Sequence, residues 1–418
     1  MRVMNYEELC GKSILLLGKT RALNVEEFDT LLKLHKIVRV GSYRDDVSLI
    51  IEGRMMNPYE QAEAARLYET QNTPIVELSL VEEWLCRSIE PNRLLMSLKL
   101  SRNQERLVDF LQNPYITDEL FFKLLKLYDW QNEGLFDNDA NRDVTAAIIG
   151  RFYVDLDRNH NVQYAMSGLA HLIERYGNRE LIRAIAELPP IAKELKSPCD
   201  RSLSGVLDAM ALHSDTDESI LHLLIKERAK LLAHREPLKL EGELLALEDE
   251  EINTILSQNA TLSKEGADML EHAYPHLIAS YTVLTQERFD RLNGGYACYL
   301  AANPTLTLLM QQRLAVLEDE SVSGSLASNT STVSTILDQF YADGRFMPQL
   351  ASNSALSSQK LEELSMSQDT EVLSALAANT ATPIDVLYQL SLDRRFERSV
   401  KTNPAFGRHI QTHNIGWN

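Results

Sequence analysis

"LAANTATPIDVLYQLSLD", residues 376–393, is one copy of a motif that recurs near the C-terminus of this 418-residue chain. Each copy places an asparagine after a short run of small and apolar residues. Successive asparagines are 24 or 26 residues apart: Asn303, Asn329, Asn353, Asn379 and Asn403. An aspartate lies ten residues before each of the last four: Asp319, Asp343, Asp369 and Asp393. A period of this length indicates repeated units, which bury their apolar faces only by stacking on their neighbours.

Each unit is predicted to contain two helices. Residues 382–393, "TPIDVLYQLSLD", have the apolar spacing of a longer helix, and a second, shorter helix leads into "LAAN". An apolar residue stands three positions before each aspartate: Val316, Phe340, Met366 and Leu390. We expect the asparagines to satisfy backbone groups at a turn and the aspartates to cap helices. A stripe of asparagines that recognises a ligand is the alternative interpretation.

Weaker copies of the motif extend the repeat towards the N-terminus. Asp249 and Asn259 keep the offset of ten residues. Less regular pairs with a three-residue spacing are Ile278 with Tyr281, Leu232 with Arg235, and Met210 with His213. Asn113 and Asp129 have the sixteen-residue separation of the longer units. The repeats are therefore predicted to begin soon after residue 100.

The first 95 residues have a different pattern. Alternating apolar runs and amphipathic segments predict the order β-α-β-β-α-β-α, which is typical of a small, mainly parallel sheet with helices on both faces. The segment "GKSILLLGKT", residues 11–20, ends like a phosphate-binding loop. However, the buried strand predicted at Ile14–Leu17 takes the place of the glycine-rich loop, so we expect no nucleotide site there.

Three stretches of this region resemble the BRCT domain, a docking module of DNA-repair and replication proteins: "GKSILLLG" (11–18), "DVSLIIEGR" (46–54) and "TPIVELSLVEEWLCRSI" (73–89). Trp84 matches the tryptophan of the family's last helix and is expected in the core. The resemblance implies a phosphate site in which Thr20 supplies a hydroxyl and Lys19 a cation. The second helix offers Glu60 but no lysine, which disfavours that site. A turn with a solvated lysine is the alternative.

The C-terminal units resemble the bacterial leucine-rich repeat variant, in which units of about 24 residues alternate α- and 3₁₀-helices in a right-handed superhelix. The match is most specific over residues 300–403. A founding member of that family holds an iron–sulfur cluster on clustered cysteines, whereas the four cysteines here are far apart: Cys10, Cys86, Cys199 and Cys298. The resemblance therefore implies no cofactor.

No metal site is expected from the sequence. The acidic segments "DNDANRD" (137–143) and "DLDRNHN" (155–161) lack the glycine and the glutamate of a calcium loop. His272 and His276 have a spacing that can hold a metal, but Pro275 lies between them and no third ligand is evident.

The formal net charge is −18, of which residues 1–95 contribute −3 and residues 96–418 contribute −15. This balance disfavours nucleic acid as a partner of the long C-terminal part and favours a basic protein or peptide. No apolar run approaches the roughly 20 residues that a membrane helix needs. Residues 1–12 lack the apolar core of a signal peptide, so we expect a cytoplasmic protein without a membrane partner.

These observations predict a mostly α protein with three parts. A BRCT-like α/β domain (1–95) precedes a helical region of degenerate repeats with an acidic irregular insertion (96–200) and a right-handed α-solenoid (201–418). The expected function is a non-enzymatic, bacterial protein–protein interaction scaffold without catalytic residues. The alternatives are a DNA-repair or DNA-binding factor that uses both parts, and a nucleic-acid enzyme built on helical repeats. Fold-level analogy does not identify the partner.

Overall fold

The computed structural model describes residues 6–70, 73–154, 160–197 and 201–412. Most of these residues are helical, and a small parallel sheet lies near the N-terminus. The chain divides into two compact units, residues 1–227 and 228–418. The boundaries predicted at residues 95 and 200 both fall inside the first unit.

The sheet is parallel throughout and has the strand order β2-β1-β3-β4 in the described residues. Its strands are β1 (Ser13–Leu17), β2 (Val38–Val40), β3 (Val47–Glu52) and β4 (Ile75–Glu77). Helices α1 (Val25–Leu34), α2 (Pro58–Thr70) and α3 (Leu78–Arg87) connect or follow them. The element order predicted for residues 1–95 is therefore confirmed. Leu15, Leu17 and Ile50 pack with Ala64 and Leu67 of α2 in one core cluster.

Local residue chemistry sets the ends of these elements. Gly18 ends β1 with φ +88°, and a Cβ atom there would lie 2.6 Å from the carbonyl oxygen of Arg54. Only glycine fits this close approach of two backbones without strain. Asn57 accepts the amide hydrogens of Tyr59 and Glu60, so α2 begins at a capped asparagine followed by proline. The strand Ser13–Leu17 runs directly into Gly18, so a strand stands where a phosphate-binding loop would have its glycine-rich segment.

The remainder of the first unit is helical. Its α-helices are α4 (Pro91–Ser101), α5 (Gln104–Leu111), α6 (Asp118–Leu125), α7 (Asp139–Phe152), α8 (Met166–Tyr176), α9 (Arg179–Ala186), α10 (Pro189–Lys196) and α11 (Ser204–Leu212). Asn138, within the acidic segment 137–143, caps α7 by accepting the amide hydrogen of Asn141. Most of the second acidic segment, residues 155–159, lies outside the described residues.

Helix α12 (Glu218–Ala233) spans the division between the units, and its backbone departs from helical geometry at Arg228. The second unit continues with α13 (Glu241–Leu245), α14 (Glu250–Gln258), α15 (Lys264–Ala273), α16 (Pro275–Tyr281), α17 (Gln286–Leu292), α18 (Ala297–Ala301), α19 (Leu308–Ala315), α20 (Glu320–Ser328), α21 (Ser334–Ala342), α22 (Met347–Ser352), α23 (Ser358–Leu364), α24 (Thr370–Ala378), α25 (Ile384–Ser391), α26 (Glu397–Thr402) and α27 (Pro404–Thr412).

Each unit of the repeat contains a first helix and a second helix, the second of which leads into the asparagine. We call the second helices together the second-helix row: α14, α16, α18, α20, α22, α24 and α26. Neighbouring members of this row contact each other in chain order. Buried alanines lie on these contacts and let adjacent helices approach closely: Ala279, Ala301, Ala327, Ala351 and Ala377. Both helices of each unit are α-helical, whereas the resemblance implied alternation with 3₁₀-helices.

Longer and shorter units alternate. In the longer units Asp319 and Asp369 cap the nine-residue helices α20 and α24 by accepting their first amide hydrogens. These second helices are longer than the first helices before them, contrary to the prediction. In the shorter units Asp343 directly follows α21, and Asp393 lies four residues before α26 and accepts the amide hydrogen of Arg395.

The apolar position before each aspartate is not equivalent in the two types of unit. Phe340 and Leu390 are buried, but Val316 and Met366 are 78% and 83% exposed. In the longer units the buried position is taken by Leu314 and Leu364, which lie eleven residues after their asparagine, as Phe340 and Leu390 do. The two extra residues of the longer units therefore fall after the first helix, so the apolar register follows the asparagine and not the aspartate.

Candidate functional site

The recurring asparagines bind each second helix to the one before it. Asn353 donates its amide hydrogens to the carbonyls of Ala327 (2.8 Å) and Asn329 (3.0 Å), one unit earlier. Its Oδ1 atom accepts the amide hydrogen of Ala355 at 2.8 Å. The same bonds to the preceding alanine and to residue +2 are made by Asn303, Asn329, Asn379 and Asn403. All five asparagine side chains are buried, so their polar atoms bind backbone and are not presented to a ligand.

Other side chains take this role where asparagine is missing. The hydroxyl of Thr282 donates to the carbonyl of Ser257 at 3.0 Å, so Thr282, one residue after the predicted Tyr281, occupies the linking position. In the first unit Nδ1 of His213 accepts the amide hydrogen of Asp215 at 3.2 Å, as an asparagine Oδ1 does elsewhere. The His213 nitrogen and the Thr282 hydroxyl thus each keep one of the asparagine's hydrogen bonds, although the residue type differs.

Thr20 and Lys19, the predicted phosphate-binding pair, lie beside backbone amides that carboxylates already occupy. The amide hydrogen of Gly18 binds Oε1 of Glu60 at 3.1 Å. Farther along, one oxygen of the buried Glu82 accepts the amide hydrogens of residues 21, 22 and 23 at 2.9–3.1 Å. Three converging amides form the kind of nest that binds anions. Here a side chain of the same chain fills that nest, and the phosphate site remains a prediction.

A cleft of about 710 Å³ lies beside this segment in the first unit. Residues 20–24 form one wall, and α5 and α7 contribute the other side. Thr20 lines the cleft, whereas Lys19 is not among its lining residues. The lining includes Arg21 and Arg151 but also Asp109 and Asp143, so the cleft has no clear excess of positive charge.

Arg151 links α7 to the loop between α5 and α6 and to the start of α6. It donates to Oδ1 of Asp118 at 2.7 Å and to the carbonyls of Asn113 and Ile116. Trp84, expected in the core, is only partly buried and lies against the ring of His35, with a centroid distance of 4.5 Å. Arg151 lines the cleft with its guanidinium bonded to Asp118 and two carbonyls, whereas Trp84 is not among the lining residues.

The second-helix row carries an unusual charge pattern. In the described chain, the second helices from α14 to α24 contain neither lysine nor arginine. They carry four glutamates: Glu250, Glu251, Glu320 and Glu371. A groove of about 800 Å³ crosses the row between α18 and α22, and its floor consists of small side chains of α20. The cationic residues of the intervening units lie on first helices and loops.

Four aromatic residues lie on α16 and α18 or directly before them, and we call them the aromatic strip: Tyr274, His276, Tyr296 and Tyr299. The His276 and Tyr299 rings are 5.7 Å apart, and the Tyr274–His276 and Tyr296–Tyr299 pairs are both separated by 6.4 Å. Tyr299 is 47% exposed. The sequence pattern offered His276 as a metal ligand with His272, but the structure places it among the tyrosines.

Several kinds of site can be assessed only within the described residues. Among these, no group of three or more His, Cys, Asp or Glu side chains is arranged to hold a metal ion. Their helices also include none with the length and apolarity needed to cross a membrane.

No protein-family model, curated protein or solved structure matches this chain.

Proposed function

We propose that this chain is a non-enzymatic protein–protein interaction scaffold, in which a BRCT-like docking module is joined to a right-handed α-solenoid of repeats. The observation that carries the proposal is the second-helix row, which combines stacked helices, small exposed side chains and, from α14 to α24, carboxylates without lysine or arginine. Stacked helical repeats present extended surfaces to their partners. The charge pattern favours a basic protein segment, because complementary charges steer association and exclude acidic competitors.

The proposal is tested by capture from a bacterial lysate with the full chain as bait, with and without nuclease. Charge reversal at Glu320 and Glu371, E320K with E371K, is expected to abolish nuclease-resistant capture of a defined protein. The control is Glu265→Lys on the first helix α15, an exposed glutamate outside the row. Capture that survives the double reversal would reject the row as the binding surface.

A DNA-binding function is the second candidate, and one observation favours it. Residues 394–408, in α26 and around it, contain Arg394, Arg395, Arg398, Lys401 and Arg408 against the single acid Glu397. If this cluster binds DNA, the affinity of the purified full chain for a duplex must fall steeply with salt, because each phosphate contact releases counterions. Capture that disappears with nuclease, together with such a salt slope, would favour this function over the scaffold.

A further inference from the structure

The aromatic strip is built by the starts of two consecutive second helices. Pro275 occupies the first position of α16, with Tyr274 directly before it, and Tyr296 directly precedes α18. The buried side of these helices is formed by residues such as Ile278 and Leu300. The apolar side chains are buried, whereas Tyr299 is exposed and Tyr274, His276 and Tyr296 are half-buried. The strip follows from the repeat itself, with related positions about one unit apart.

The electrostatic surroundings of the strip are acidic. Glu250 lies on the preceding second helix and Glu320 on the following one, and both are exposed. The nearby arginines are engaged by carboxylates on the first helices. Arg288 binds Asp268 and Glu271, Arg291 binds Glu271 and Glu287, and Arg313 binds Asp290. The second helices on either side of the strip therefore each carry an exposed glutamate, and α16 and α18 themselves contain neither lysine nor arginine.

The strip continues into the groove of the second-helix row. Cys298, next to Tyr299, has its sulfur 3.2 Å from the hydroxyl of Ser325, which lines the groove. Gly324 and neighbouring serines form the floor, and Phe346 stands at the far side. Small side chains leave room for the main chain of an extended segment, while the rings next to them offer flat π faces.

We propose that the aromatic strip and the adjoining groove bind an extended peptide segment that carries arginine or lysine. Its cationic groups lie over the tyrosine faces, where the ring quadrupole attracts them. Glu250 and Glu320 neutralise the neighbouring cations of the same segment. This inference rests on the proposed scaffold function and specifies its partner as a basic peptide. A nucleic acid also stacks on aromatic rings, but its phosphates require cations, which these helices lack.

The test uses the full chain and a fluorescein-labelled nine-residue peptide of alternating Arg and Gly, measured by fluorescence anisotropy at 0.15 M salt. The matched peptide replaces every arginine with citrulline, which keeps the shape and removes the charge. Tyr299→Leu is expected to weaken binding of the arginine peptide about five-fold, which corresponds to about 1 kcal/mol. Glu320→Gln is expected to weaken it about two-fold and to reduce the salt dependence.

Two control variants match these substitutions elsewhere on the chain. Tyr59→Leu changes an exposed tyrosine on α2, and Glu265→Gln neutralises an exposed glutamate on a first helix. Both should leave the affinity for the arginine peptide unchanged. Circular dichroism checks the fold of Tyr299→Leu. If Tyr299→Leu unfolds, the conservative surface change Glu320→Gln still tests the proposal.

Four results would overturn the inference. Equal binding of the arginine and citrulline peptides would show that the site does not recognise the cation. Equal loss of affinity in the strip and control variants would indicate nonspecific attraction to an acidic chain. Tighter binding of a labelled single-stranded oligothymidine than of the arginine peptide would indicate nucleic acid. If the peptide does not bind but E320K with E371K still abolishes client capture, the scaffold function stands and only the basic-peptide site fails. If the peptide does not bind and the double reversal leaves client capture unchanged, the scaffold function and the basic-peptide site are both rejected.

Discussion

Asn353→Ala is expected to lower the free energy of unfolding of the second unit by about 3 kcal/mol. Asn353 is fully buried and makes three hydrogen bonds, two as a donor to carbonyls of the preceding repeat and one as an acceptor within its own turn. A buried hydrogen bond contributes a net ~1 kcal/mol, and an abandoned partner that finds no water costs at least that much. The estimate of about 3 kcal/mol is the sum over these three bonds.

Asn353→Asp separates donation from acceptance. The introduced carboxylate still accepts the amide hydrogen of Ala355, but it points a negative charge at the carbonyls of Ala327 and Asn329. At pH 7 this variant should therefore be less stable than Asn353→Ala, since a buried unpaired charge costs several kcal/mol. Its deficit should shrink as the pH falls, because burial raises the pKa of the introduced carboxyl and the protonated form again has a donor.

The assay is urea unfolding followed by circular dichroism, with hydrogen exchange of residues 347–378 as a local readout. The local readout is needed because a chain of two compact units need not unfold in one step. Ser354→Ala is the control, since this exposed neighbour should change stability by less than about 0.5 kcal/mol. If Asn353→Ala behaves like Ser354→Ala, or if the aspartate variant matches wild type at pH 7, the linking role of the asparagine is refuted.

Asp319→Ala removes a helix cap and should cost about 1 kcal/mol in urea unfolding, whereas Asp343→Ala, after the end of a helix, should cost less than about 0.5 kcal/mol. Burial raises the pKa of the Cys86 thiol to about 11, so this thiol should react with a disulfide reagent at pH 8 on the order of 100-fold more slowly than the exposed Cys10. Burial also raises the pKa of Glu271, but two ion-paired arginines outweigh it and lower the pKa below its ordinary 4.5. Glu271→Gln should therefore destabilise the chain at pH 7, and its difference from wild type should shrink as the pH falls below about 4.5 in acid unfolding curves.

The sequence contained enough information to locate the repeat but not to align its irregular units. The asparagine column was visible because each unit uses the same side-chain bonds. The sequence spacing aligns Tyr281 with this column, yet Thr282 makes the linking bond, because a one-residue shift places its short hydroxyl side chain within reach of the carbonyl of Ser257. The spacing from the aspartate also predicts that Val316 and Phe340 are equivalent, since counting back from the aspartate hides the two residues added after the first helix.

The candidate sites were less accessible to sequence reasoning. Glu82 fills the amide nest at residues 21–23 from about 60 positions away, and no local pattern relates them. The absence of lysine and arginine from α14 to α24 emerges only after charges are assigned to individual helices, because the first helices between them carry cations of their own: Lys264, Arg288, Arg291, Arg313 and Lys360. A signal for the aromatic strip was present: His276 and Tyr299 are separated by 23 residues, about one repeat.

The asparagine hydrogen bonds that link successive repeats also connect the segment after β1 to the helices of the first unit. Asn113 donates to the carbonyl of Ala22 at 2.9 Å and accepts the amide hydrogen of Tyr115 at 2.8 Å, which is the geometry of the later asparagines. The carbonyl that a preceding repeat supplies elsewhere is supplied here by the segment after β1. An ion pair between Glu27 and Arg106 reinforces the same junction. A stack of repeats exposes an apolar end unless another element covers it. The loop after β1 therefore occupies the place of a preceding repeat, and the carbonyl of Ala22 marks where the asparagine pattern begins.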